Sequence, residues 1–377
     1  MKSSVMREKT RLKPIRVCHV SHKAERYGIG TFLLALIEEQ RKHTSSLLVS
    51  VAFQTSGERE GAFEALGIPI HNVRTGSARS PRLGWRLWRI FRAYDVIHLH
   101  TLSPWAFLAA RLRGKRIVTT FHGSCGLRGG WADNFRRWFI RYVAHNWCDR
   151  IVFVSQIAKA RFEKRFQIDL PSNSCTEIAN GLNIRTLIEK IPSPHFRNQS
   201  GWSRKFVIGC AARLDPQKCL ERLIETQSML SNEEYLTVIA GSGDIQYEQY
   251  LRSLVKQQGL QKEVHFLGFR SDIYDVISNL DLFVMTSINE PFGLSLLEAM
   301  ALGIPCVAFS DSGAPIEILG SKGCVVNTST ELASVIKELK FDKLLYKKMK
   351  NDARERAQVF SNEIMAQKYN LIYKSIS

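Results

Sequence analysis

Two carboxylates eight residues apart, Glu290 and Glu298, flank the segment Pro291-Phe292-Gly293-Leu294. Pro291 suits the first turn of a helix, Gly293 lets a ligand approach the backbone, and the free N–H groups of a helix start attract an anion. By pattern alone the same residues also read as a capped amphipathic helix with Glu290 at its start. Arg213 and Lys218 place two cations on what reads as a strand-to-helix loop, in Ile208-Gly-Cys-Ala-Ala-Arg213-Leu214-Asp-Pro-Gln-Lys218. Gly28-Ile-Gly30-Thr31 precedes a helical stretch and is either a backbone cradle for phosphate or a plain turn. His122 follows a strand-like run in Thr120-Phe-His122-Gly123. His98 and His100, in Asp95-Val-Ile-His98-Leu-His100, point the same way along a strand. Imidazole pairs suggest a metal, but no third ligand is evident in the sequence, and packing or acceptor contact is the preferred reading.

The elements that must position these residues alternate between strand and helix. Ile15 to Val20 reads as a buried strand and Thr31 to Gln40 has helical periodicity. Further short apolar runs follow at Ser46 to Phe53, Asp95 to His100, Arg116 to Phe121 and Arg150 to Val154. A polar, Pro-containing stretch from Ile191 to Gly201 interrupts the pattern. A fresh series then begins at Lys205 to Cys210 and continues through Leu236 to Ala240, Val264 to Leu267, Leu282 to Met285 and Pro305 to Phe309. This alternation predicts an α/β protein of two doubly wound domains, residues 1–190 and 200–358, with the ligand in a cleft between the C-terminal ends of their strands. Phe360 to Tyr373 reads as an amphipathic terminal helix with Ser361 as its N-cap.

The segment from Asn289 to Ala301 resembles the Glu-x7-Glu motif of retaining nucleotide-sugar glycosyltransferases of the GT-B fold, the family 4-like "glycosyl transferases group 1". The run from Ile208 to Lys218 is similar to that family's Gly-Arg-Leu…Lys-Gly signature, with Cys219 where Gly is usual. Ile239-Ala-Gly241-Ser-Gly243, Val264 to Gly268, Gly303 to Val307 and Gly313 to Glu317 fall in the family's order. The resemblance covers most of residues 205 to 325 and is weaker in the N-terminal half. It implies that Glu290, Phe292, Gly293 and Leu294 contact the donor sugar and Glu298 the ribose. Arg213 and Lys218 would hold the diphosphate, with Gly30 near the phosphates and His122 near the reacting carbon. Preorganised cations beside a developing phosphate charge contribute several kcal/mol to such a reaction. The resemblance further implies a Rossmann-like acceptor domain, a Rossmann-like donor domain, a last helix (360–377) crossing back onto the first, and transfer of a hexose-type sugar to a hydroxyl with retention of configuration. The departing phosphate, rather than a side-chain base, would assist deprotonation of the acceptor. No Asp-x-Asp triplet occurs, so neither a metal nor another cofactor is expected.

Charge bears on the acceptor. Of 377 residues 53 are basic and 35 acidic, and the excess is not shared evenly. Residues 1–170 hold 30 Lys and Arg against 12 Asp and Glu, while the remainder is balanced at 23 against 23. Two electrostatically different halves imply two different partners. Within the basic half, Arg82 to Arg92 and Trp131 to Trp147 interleave Arg with large aromatics. They read either as helices that insert at an anionic membrane surface or as ordinary helices packing aromatics inward and showing Arg to water. Zinc-finger spacing and RNA-recognition signatures are absent, so nucleic acid is not an expected partner. The eight Cys are scattered without a Cys-x-x-Cys pair, and no apolar run reaches the ~18 residues of a spanning helix. The basic N-terminus lacks the apolar run of a secretory signal. A cytoplasmic protein, peripheral on the inner face of the membrane, is expected. The acceptor would be lipid-linked or a polysaccharide, as in lipopolysaccharide, O-antigen, capsule or exopolysaccharide synthesis. The alternatives are a synthase using a small soluble sugar acceptor and a non-catalytic protein that binds membrane or another anion.

Overall fold

A computed structural model describes residues 13–24, 28–43, 46–75, 80–123, 131–189, 196–230 and 234–377. The N-terminal basic residues up to Arg11, Cys125 and the Pro-containing stretch at 191–194 lie outside the described residues.

Short, continuous apolar runs make strands that are buried on both faces, and parallel pairing with helical crossovers covers those faces. The first sheet contains β1 (Ile15–Ser21), β2 (Leu47–Phe53), β3 (Ile70–Asn72), β4 (Val96–Leu99), β5 (Arg116–Phe121), β6 (Arg150–Phe153) and β7 (Cys175–Glu177). Its order is β3-β2-β1-β4-β5-β6-β7, with every pair parallel. The second contains β8 (Phe206–Ala211), β9 (Tyr235–Ala240), β10 (Val264–Gly268), β11 (Leu282–Met285), β12 (Cys306–Phe309) and β13 (Cys324–Val326), in the order β10-β9-β8-β11-β12-β13 and again all parallel. Strand order reverses between β1 and β4 in one sheet and between β8 and β11 in the other. Such switch points open the crevices in which doubly wound sheets bind ligands.

The helix Ile29–Gln40 begins two residues earlier than its periodicity suggests, with Gly28 at the N-cap at φ 58°. Gly30 is therefore a buried residue of the first helical turn rather than part of the preceding turn. The last helix, Asn362–Ile376, is capped by the Ser361 hydroxyl, which accepts from the Ile364 N–H. It lies on the first domain: Met365, Ala366, Tyr369 and Tyr373 join Phe32 and Leu36 in the core on one face of the first sheet. The chain enters this helix beside Leu182, whose N–H donates to the Phe360 carbonyl while the Asn362 N–H donates back to Leu182.

Both Arg-aromatic segments are helices, Pro81–Phe91 and Trp131–Asn146, and they do not simply tuck their rings inward. The first buries Leu83, Leu87 and Phe91 but leaves Trp85 57% exposed. The second buries Ile140, Val143 and Ala144, while Phe135, Trp138 and Tyr142 are 57, 58 and 43% exposed. Those three rings lie side by side, with centroids 5.7 and 5.8 Å apart. Among the described residues no helix is long and apolar enough to cross a membrane.

Candidate active site

The C-terminal half of the site is built on the loops after β8 and β11. Beyond β8, Leu214 bridges to Gly243, and the Asp215 side chain caps the turn Pro216–Lys218 by accepting from the Gln217 N–H. Cys219 closes this turn in the left-handed region, at φ 45° and ψ 48°. That conformation explains why the related motif has Gly here, since a Cβ in this region costs roughly 1–2 kcal/mol. The Thr286 hydroxyl donates to the Lys218 carbonyl at 2.6 Å and the Ile288 N–H to the Gln217 carbonyl at 2.9 Å. These bonds tie the two loops together and aim the lysine side chain. Lys218 Nζ meets Glu290 Oε2 at 2.5 Å, and the two side chains are only 19 and 16% exposed.

Glu290 is held as firmly. Its N–H donates to the Ser312 carbonyl at 2.6 Å, and its own carbonyl accepts from the Ala314 N–H at 3.1 Å. Gly293 then turns the chain at φ 102° into the helix Leu294–Ala301, which has no side-chain cap. The N–H groups of Leu294, Ser295 and Leu296 thus have no partner within the helix, leaving donors for an anion. Phe292 is buried against Phe360 and so anchors the loop rather than lining it with an open ring. One turn into this helix, Glu298 accepts from the Tyr274 hydroxyl at 3.2 Å. Burial lifts its carboxyl to about 7, a rise that the Tyr274 hydrogen bond and the Arg59 charge only partly offset.

The structure brings Lys218, Glu290 and Gly293 into one corner. Arg213 is turned toward Asp215, at 3.0 Å, with its side chain 68% exposed. It meets none of the other three in a hydrogen bond or ion pair.

From the first domain, His122 leaves β5 and stacks edge-on to Phe32 with ring centroids 4.7 Å apart. The next residue, Gly123, has φ 88°, and a Cβ there would lie 2.2 Å from the Pro291 side chain. Contact between the halves is thus tight beside the glycine-opened helix. The Ser155 hydroxyl also donates to the Pro291 carbonyl at 2.7 Å, Arg161 donates to the Asn289 carbonyl, and Glu317 accepts from the N–H groups of Gln156 and Ile157. Arg59, hydrogen-bonded to Thr31 of the first helix at 3.2 Å, lowers the Glu298 carboxyl from across the cleft. The sequence offered no signal for Arg59 or Tyr274, which lie in an unremarkable polar loop and a short helix.

The histidine pair has the third member that the sequence did not reveal. His19 of β1 is in register with His98 of β4, so the two rings share a face with His100. One nitrogen from each of the three lies within 4.8 Å of the others. Every ring is already hydrogen-bonded. Gln40 Oε1 lies 2.9 Å from His19 Nε2, His19 Nδ1 lies 3.1 Å from His100 Nε2, and His100 Nδ1 lies 3.3 Å from His122 Nε2. His98 instead meets Tyr373 at 2.6 Å and Thr120 at 2.8 Å. Burial lowers His19 to about 4 and His122 to about 3, and holds His98 and His100 well below their ordinary value.

Two facing doubly wound domains with a paired cation and carboxylate at a glycine-opened helix define a GT-B architecture. The profile "Glycosyl transferases group 1" matches residues 193–356 and the profile "Glycosyltransferase Family 4" residues 27–185. Together these matches span most of the chain, which belongs to the group 1 glycosyltransferases of the GT-B fold. A phosphatidyl-myo-inositol mannosyltransferase of Mycobacterium leprae is 27% identical over 84% of this chain and 83% of its own. The O-antigen biosynthesis glycosyltransferase WclY of Escherichia coli is 23% identical over 96 and 99%. The crystal structure of Anabaena HepE in complex with UDP-glucose superposes with a TM-score of 0.80, at 22% identity, over 96% of this chain and 100% of that one.

Proposed function

We propose that this glycosyltransferase moves a hexose-type sugar from a nucleoside diphosphate sugar to a hydroxyl of a lipid-linked or polysaccharide acceptor. Transfer would proceed with retention of configuration and without a metal, at the cytoplasmic face of an anionic membrane. The observation that carries this reading is the contact between Lys218 and Glu290 at the uncapped start of the helix Leu294–Ala301. An incoming diphosphate competes with Glu290 for the ammonium and takes hydrogen bonds from the free N–H groups. The displaced carboxylate is then free to accept from sugar hydroxyls. Arg213 adds a second cation at the mouth, Glu298 accepts from the ribose hydroxyls, and His122 reaches the sugar from the opposite lobe. As the bond to the anomeric carbon breaks, these fixed donors stabilise the charge gathering on the phosphate. That phosphate can take the acceptor's proton on the same face.

The donor class is supported by the UDP-glucose complex of HepE, and the acceptor class by the O-antigen and phosphatidylinositol enzymes among the relatives. Membrane contact is supported by the outward rings Trp85, Phe135, Trp138 and Tyr142 amid the arginines of their helices. Each basic residue near an anionic surface is worth about 1 kcal/mol and a buried aromatic adds to this.

The test is to supply UDP-, GDP- and ADP-sugars with and without a membrane extract and to follow release of the nucleoside diphosphate. One donor is expected to be consumed only with the extract, and K218A and E290A to abolish consumption while remaining folded. Full turnover with a soluble sugar alone would refute the lipid or polysaccharide acceptor, and unaltered turnover in both variants would refute the site. In parallel, binding to anionic vesicles at low salt should fall at least tenfold when Phe135, Trp138 and Tyr142 are all replaced by Ser.

A further inference from the structure

The buried histidines form a line rather than a ligand cage. Gln40, His19, His100 and His122 are joined end to end by three contacts of 2.9, 3.1 and 3.3 Å, from beneath the C-terminal helix to the cleft. A neutral imidazole has one N–H and one lone pair, so each contact holds a single proton, and the direction chosen at one end is imposed on every ring. All three rings are neutral, because burial disfavours their charged forms. The direction is chosen at Gln40. Its Nε2 donates to Asn370 Oδ1 of the C-terminal helix at 3.2 Å, which leaves Oε1 facing His19. His19 must then carry its proton on Nε2 and accept at Nδ1 from His100 Nε2. His100 in turn accepts at Nδ1 from His122 Nε2.

We propose that Gln40, His19 and His100 are positioning residues that lock His122 with its proton on Nε2, so that Nδ1 offers a lone pair to a hydroxyl of the donor sugar. The last clause rests on the placement of His122 at the donor given above; the tautomer does not. Held this way, His122 accepts from a sugar hydroxyl and cannot donate from Nδ1 to a phosphate oxygen. The site then favours donors with a free hydroxyl at that place over deoxy analogues. The C-terminal helix thereby acts on the chemistry through Asn370, besides bracing the fold. His98 stands outside the line, satisfied by Tyr373 and Thr120.

The experiment is 15N NMR of the histidine side chains in the full-length protein at neutral pH, with signals assigned by single His-to-Gln variants. Neutral Nε2–H forms are expected for His19, His100 and His122. In Q40L the His122 signal should become a mixture of both tautomers, and kcat should fall about tenfold, the worth of one aligned hydrogen bond, with nucleoside diphosphate affinity unchanged. N370A removes the orienting acceptor with less disturbance of the core and should produce the same mixture if Q40L fails to fold. An Nδ1–H form of His122 in the unaltered protein, or a tautomer unmoved in the variants, would overturn the proposal. So would a stoichiometric transition metal in the purified protein that H19L releases. If H122A leaves turnover intact while the tautomers behave as expected, only the placement of His122 at the donor fails.

Discussion

Glu298 carries an energetic penalty whose size follows from its surroundings. The side chain sits against Tyr274 in the cleft, and burial raises its carboxyl from an ordinary 4.5 to about 7. At 1.36 kcal/mol per pH unit, ionising it in the folded chain costs at most about 3 kcal/mol more than in the unfolded one, because some contact with water remains. The folded value lies above the unfolded one. The favourable contribution is therefore complete below pH 4.5 and is lost as pH rises through about 7. Glu298→Gln keeps the shape and removes the titration. In urea denaturation the variant and the parent should agree near pH 4, and the variant should gain up to about 3 kcal/mol by pH 8.

In the proposed donor complex the same group ties pH to binding. Ribose hydroxyls donate to a carboxylate, so binding selects the ionised form, and affinity for the sugar nucleotide should rise about tenfold per pH unit up to about 7 before levelling. A sugar nucleotide is the right probe, since its pyrophosphate diester has no group titrating near neutrality. Glu298→Gln should bind more weakly at pH 8 and show no such slope. Parallel stability curves for the two proteins from pH 5 to 8 would refute the buried-carboxyl argument. A slope in affinity that survives the substitution would refute the ribose contact alone.

Two further substitutions probe the backbone. Gly123→Ala sets a Cβ against the rigid Pro291 ring and strains a left-handed residue, so it should cost about 1–3 kcal/mol by thermal denaturation. Turnover should fall more than tenfold as His122 is pushed from the cleft, and undiminished turnover would count against this contact between the lobes. Cys219→Val places a β-branched residue at φ 45° and should lose about 1–3 kcal/mol, whereas Cys219→Gly should retain both fold and activity. Equal behaviour of the two variants in a denaturant titration would show that the turn does not need its left-handed residue.

What was legible in the sequence follows from how each feature is encoded. Central strands such as β1, β5, β9 and β11 are runs of four to seven residues buried on both faces, and those runs stand out as apolar. The edge strands β3, β7 and β13 have three residues each, too few for a periodic signal, and they form because a neighbour is already in place. Loops holding Glu290, Gly293 and Lys218 were visible as motifs, because special backbone geometry restricts residue type locally. His19 was invisible as a partner of His98 because their pairing is a register between strands 79 residues apart, and Arg59 reaches Glu298 only after both domains are assembled. The Arg-aromatic helix Trp131–Asn146 carries rings on both sides. Phe139 turns toward Phe107 and Phe135, Trp138 and Tyr142 turn outward, a division that packing decides and periodicity does not.

The pairing of Lys218 with Glu290 fits a functional rather than a stabilising role. Both side chains are largely withdrawn from water, and for such a pair the lost hydration offsets most of the Coulombic attraction. Two apolar residues of similar size would hold these loops as well. The loops also have independent ties, through Thr286 to the Lys218 carbonyl and through Ser312 and Ala314 to the backbone of Glu290. In the proposed reaction the pair supplies an ammonium kept in place and neutralised until the diphosphate arrives. A lone buried lysine would shift toward its neutral form, and an exposed one would pay reorganisation each time it met a diphosphate. Storing the cation against a carboxylate that itself has a use once released meets both requirements with two side chains.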